Sequence, residues 1–167
     1  VAIVVITLHV EYSGEKHIQV TGLDPVILDC LHALPEILDQ RDQPAARRRL
    51  LPDPTTDRDI NADWQQTIAP ELRHLFAAAG DTVVRDLTGV TPDGQLTFAA
   101  EHLNAWMSAL NEARLILGEV FRITDADMEA PEFDVTTPKG LAVFRIHVLG
   151  YLLQLLVELE AGRVGDL

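Results

Sequence analysis

The sequence predicts a mainly α fold, a helical bundle with a short N-terminal β-hairpin, as a single domain over residues 1–167. Three observations carry that expectation. Two helix starts are written as a capping residue followed by proline, Asp24-Pro25 and Thr137-Pro138. One stretch places Ala99, Leu103, Trp106, Leu110, Ala113, Leu117 and Val120 at alternating steps of four and three, the spacing of a buried helical seam. The opening residues are rich in Val and Ile, with no helical period.

Taken in order, residues 1–12 read as a strand, Ser13-Gly14-Glu15 as a turn, and Lys16 to Thr21 as the returning strand, so the hairpin covers about residues 1–21. The apolar opening has no basic leader and no small-residue cleavage pattern, so it reads as a strand rather than a secretory signal. A first helix follows over residues 24–40, with Ile27, Leu31, Leu34 and Leu38 on one face and a kink or break near Pro35. Residues 41–59 hold three prolines, three consecutive arginines and no apolar period, and read as a surface connection. Asn61 is the expected cap of the next helix, whose apolar line Trp64, Ile68, Leu72, Leu75, Phe76, Ala79, Val83, Leu87 runs through Pro70 as one kinked helix or two pieces. A Thr-Pro-Asp-Gly turn closes it, and the seam helix begins at Ala99. Thr124 and Asp127 start a short helical turn, residues 130–136 form a loop, and Pro138 opens a final helix through Glu160. That helix is apolar nearly all round, apart from His147, Tyr151, Gln154 and Glu158, as expected of a bundle centre or an oligomer interface.

Charge narrows the partners. Thirteen basic residues against 26 acidic ones give a formal net charge of −13, which repels nucleic-acid backbones and anionic membrane surfaces. Arg145, His147, Gln154 and Glu158 interrupt the apolar run of residues 141–159, which argues for a helix buried in protein over one in lipid. Cys30, the single cysteine, leaves no internal disulfide and no multi-cysteine zinc site, and fits a reducing cytoplasm.

Catalytic chemistry is hard to assemble from these residues. Glu71-x-x-His74 occurs once, where carboxylate-bridged di-iron bundles need it twice, and both residues lie off the apolar line. Asp57, Asp59 and Asn61 open like a calcium loop, but Ala62 and Ile68 stand where glycine and a bidentate glutamate are required, so capping explains them. Ser13 and Ser108 lack the setting of a nucleophile, and Cys30 falls in an apolar helix. No glycine-rich phosphate loop is present, and the six histidines are scattered without ligand spacing. No cofactor, metal or catalytic residue is therefore expected. Arg47-Arg48-Arg49 could dock an acidic partner or anionic ligand, although a solvated loop accounts for it. Arg114 and Arg145 fall on apolar helix faces, where a long charged side chain needs a carboxylate, helix-end carbonyls or a ligand. With His102 and Asn111 they form the candidate ligand-binding set.

The capped helix 24–40, the Trp64 region with Pro70-Glu71-Leu72, the run Glu101-His102-Leu103-Asn104-Ala105-Trp106 through Leu110-Asn111-Glu112-Ala113-Arg114-Leu115, and the final Tyr151 to Glu158 helix resemble a bacterial family, domain of unknown function number two thousand and seventeen. The resemblance implies a bacterial, cytoplasmic, largely helical protein of no established activity, encoded in actinobacteria beside the proteolytic adaptor ClpS. The leading functional expectation is a non-enzymatic interaction or regulatory protein with a protein partner or self-association. The alternative is a binding protein or enzyme for a small anionic molecule, with its pocket around Arg114 and Arg145.

Overall fold

The computed structural model describes residues 6–165, with side chains to residue 162. The hairpin is present as β1 (His9–Ser13) and β2 (His17–Thr21), paired antiparallel with Val10 opposite Val20. The first five residues of the expected strand lie outside the described residues. A third strand, β3 (Leu96–Ala99), pairs with β2 and sets Ile18 opposite Phe98. The apolar spacing alone predicts the seam helix from Ala99. Instead, Leu96 and Phe98 alternate inward from β3, a 3₁₀ turn covers Ala100–His102, and the helix starts at Leu103.

Asp24 caps α1 (Pro25–His32), accepting from the backbone N–H groups of Val26 and Ile27. The expected break falls at Ala33, just ahead of α2 (Leu34–Leu38), which carries Pro35 in its first turn, where a missing N–H costs nothing. A 3₁₀ turn over Asp39–Asp42 leads into α3 (Pro44–Leu50). The segment expected as a surface connection thus contains a helix: proline at a helix start organises it, and Ala46 is fully buried while the three arginines face outward.

Asp57, not Asn61, caps α4 (Arg58–Thr67), while Asn61 accepts from and donates to Thr55 across the preceding loop. The helix stops at Ile68 and α5 (Ala69–Leu87) begins with proline in its first turn. Val83 and Leu87 of the expected line are buried, together with Ala69 and Gly80, whereas Ile68 and Leu75 of that line are exposed.

The core lies around α6 (Leu103–Val120) and α8 (Pro138–Gly165), which run against each other along most of their length. Trp106, Leu110, Ala113 and Leu117 of the predicted seam are buried, as are Leu149, Leu152 and Leu156 opposite. By length and composition α8 could cross a membrane, with mean hydropathy 1.7 over its most apolar window. Here it packs on α6, α1 and β1, and only its narrow stripe of His147, Tyr151, Gln154, Val157 and Glu158 is exposed along residues 147–158. Between the two helices, α7 (Asp125–Glu129) starts with the predicted Thr124–Asp127 capping box.

Candidate functional site

The candidate residues divide among three places. His102 sits at the N-terminal end of α6, its Nδ1 3.0 Å from a carboxylate oxygen of Asp86. The same oxygen accepts from the indole N–H of Trp106 at 2.9 Å, and the Trp106 ring stacks on Phe98 with centroids 4.9 Å apart. Asp86 thus satisfies a fully buried indole donor and fixes the imidazole, a reason for this trio that needs no ligand. Twelve residues of helical rise, about 18 Å, separate His102 from Arg114.

Arg145 turns toward α1. Its guanidinium lies 3.5 Å from the Asp29 carboxylate, and it lines an open cavity of about 250 Å³ with Leu117, Phe121 and Val135. Burial pushes the neighbouring Cys30 thiol up to about 11, with Arg145 opposing the shift, so the thiolate is scarce near neutral pH.

Arg114 and Asn111 face the other side of α6. Arg114 crosses the glycine surface of α8: a Cβ built on Gly150 would meet its Nε at 3.0 Å and Cζ at 3.2 Å. Among the described residues no hydrogen bond or ion pair engages Arg114, and its Nε is buried. It forms the seam of two adjoining open cavities. The first, about 210 Å³, brings Asn111, Asp125, Met128 and Ile146 around it. The second, about 410 Å³, adds Arg49 of α3, Glu119 and Arg122. Leu115, Gly118, Ile123 and Thr124 line both.

Arg122 was not foreseen from the sequence. Here α6 ends in a Schellman motif, with Ile123 N–H donating to the Gly118 carbonyl and Arg122 N–H to that of Glu119. The left-handed position of that motif, usually glycine, is Arg122 at φ 52°. An L-residue there costs roughly 1–2 kcal/mol. A strained arginine at the mouth of an arginine-lined cavity is the kind of outlier that clusters at binding sites.

The one fully buried charged residue in the described core, Glu112, is likewise not among the candidates drawn from the sequence. Its Oε1 lies 2.7 Å from Arg41 Nε, and desolvation pushes its carboxyl above the usual range while Arg41 pulls it down. Spacing would have revealed it, because Glu112 falls three residues after buried Ala109 and four before buried Ile116. Glu71 and His74 are exposed, and no group of three or more metal-ligating side chains occurs among the described residues.

These features define a class: a helical protein with a small antiparallel sheet and an arginine-lined cavity against its two central helices. The model of the family Domain of unknown function (DUF2017) matches residues 18–159, and the chain belongs to that family. Nothing matches among curated proteins or among solved structures.

Proposed function

We propose that this chain is an interaction protein that takes up an anionic group in the cavity between α3, the C-terminal half of α6, α7 and α8. The observation that carries the proposal is Arg114, an arginine laid across Gly150 with a buried Nε and no carboxylate partner. Arg114 is half-buried, and its Nε is sheltered from solvent with nothing to receive its proton, a cost that a bound anion removes. Arg49 and Arg122 on the same cavity concentrate positive charge within a chain of net charge −13.

Thermal unfolding of the full chain with sodium acetate and with inorganic phosphate tests this. A ligand that binds only the native state raises the midpoint with concentration. The wild type gains stability with at least one of the two anions, and Arg114→Met loses that gain. Equal gains in wild type and variant would count against the proposal. Gly150→Ala serves as a second variant: the methyl displaces the guanidinium while the helix itself gains about 0.5–1 kcal/mol, so anion response falls without loss of fold.

A finer form of the reading rests on what the sequence resemblance implies: the anionic group would belong to a protein partner in ClpS-linked regulated proteolysis in a bacterial cytoplasm. Co-purification with that adaptor from the host, lost in Arg114→Met, is the expected result. Self-association through α8 has less support, because Leu149, Leu152 and Leu156 are buried within the chain and, of its described large apolar side chains, Tyr151 and Val157 are the exposed ones.

A further inference from the structure

Resting on that reading, we infer that the group recognised is a monocarboxylate joined to a short apolar body, and that the two adjoining cavities divide this ligand between them. The charges around Arg114 decide its valence. Arg49, Arg114 and Arg122 contribute three positive charges, and Asp125 and Glu119 contribute two negative ones. One positive charge remains in excess. The C-terminal end of α6, which lies beside Arg122, adds a partial negative charge of roughly half a unit. A single carboxylate brings this surround to within about half a charge of neutrality. A phosphate dianion or a polyphosphate would set surplus negative charge against Asp125, Glu119 and the helix end.

The two cavities also differ in character. Beyond Arg114 toward α8 the wall is Ile146 and Met128, with Ile123 at the seam, which suits an aliphatic substituent. Asn111 on the same wall offers both an amide donor and an acceptor, the complement of a peptide group. On the opposite side of Arg114 the wall is Arg49, Arg122 and Glu119, where a carboxylate head is held. The chemistry is shared by two sources, the C-terminal end of a peptide with an apolar last side chain and a free aliphatic acid.

Isothermal titration of the full chain separates the cases, using N-acetyl-alanyl-leucine, its C-terminal amide, octanoate, inorganic phosphate and pyrophosphate. At least one of the two carboxylates binds at least tenfold more tightly than either phosphate, and the peptide amide binds at least tenfold more weakly than its acid. Arg114→Met and Gly150→Ala each reduce carboxylate affinity tenfold or more. A peptide acid stronger than octanoate assigns the ligand to a chain end, and the reverse order assigns it to a free acid; either order supports a monocarboxylate. Phosphate or pyrophosphate binding more tightly than both carboxylates, and lost in Arg114→Met, would overturn this inference while upholding the anion site. Absence of binding by all five probes would overturn both.

Discussion

Replacing Arg41 with methionine takes the cation out of the buried pair while keeping most of the volume of its stem. The Glu112 carboxylate then remains in a site where its residue is 1% exposed and its Oε2 has no hydrogen-bond partner among the described residues. Gly80 permits the close approach that makes the pair, since a Cβ there would meet Arg41 at 3.2 Å. Breaking a buried pair from one side costs about 3–5 kcal/mol, a large part of the roughly 5–15 kcal/mol that holds a domain together. With a urea dependence of about 2 kcal/mol per molar, the unfolding midpoint falls by about 2 M near pH 8.

The pH dependence supplies the sign. Glu112 is raised above its ordinary value of 4.5 by desolvation, so the native state holds its proton more tightly than the unfolded chain does. That contribution is fully present below 4.5 and is lost as pH rises through the folded value. Without Arg41 the folded value climbs further, so the deficit of Arg41→Met is largest near pH 8 and shrinks toward pH 4.5. Adding Glu112→Leu removes the stranded charge, and the double variant returns to wild-type stability or exceeds it. Urea titrations at both pH values check this. A deficit below about 1 kcal/mol at pH 8, or one that does not change with pH, would refute the assignment of Glu112 as a desolvated, Arg41-dependent carboxylate.

Arg122→Gly relieves the left-handed strain and stabilises the chain by about 1 kcal/mol in chemical denaturation, while weakening anion binding; a destabilised variant would contradict the strain argument. Asp86→Ala deprives the buried Trp106 indole of its acceptor and costs about 1–3 kcal/mol, read from the same titrations. The Asp127 carboxyl is held down to about 2, first by Lys139 and then by the Thr124 cap. Its stabilising contribution is present above 3.8 and lost as pH falls through about 2, and Lys139→Met moves its NMR titration back up toward 3.8.

Much of this architecture was legible because its signals are local. Asp24-Pro25 and Thr137-Pro138 start the helices they predict, the seam from Leu103 to Leu117 is buried, and the polar stripe of α8 is its solvent face. The misreadings share a cause: a single element that depends on its neighbours for burial. β3 is four residues long and is a strand because β2 offers it an edge. Nothing in α3 announces a helix except Pro44, and a proline opens a helix only if the residues after it find a surface to pack on, as Ala46 does here. The break at Ile68, which leaves Ile68 and Leu75 exposed, is likewise a tertiary event.

The candidate site was only partly readable. Apolar helix faces singled out Arg114 and Arg145, but which side of α6 each reaches depends on how α6 and α8 cross, and Gly150 is what lets Arg114 lie down. Asn111 joins Arg114 in its cavity, Arg145 goes to Asp29, and His102 to Asp86. Arg122 was invisible because its importance lies in a backbone angle at a helix end that carries no glycine.

A crystal structure of the full chain grown with millimolar N-acetyl-alanyl-leucine tests the binding site most directly. The carboxylate is expected within about 3.2 Å of the Arg114 guanidinium, with the leucine side chain against Ile146 and Met128. Density for the peptide elsewhere, with Arg114 instead paired to a carboxylate of its own chain, would contradict the account.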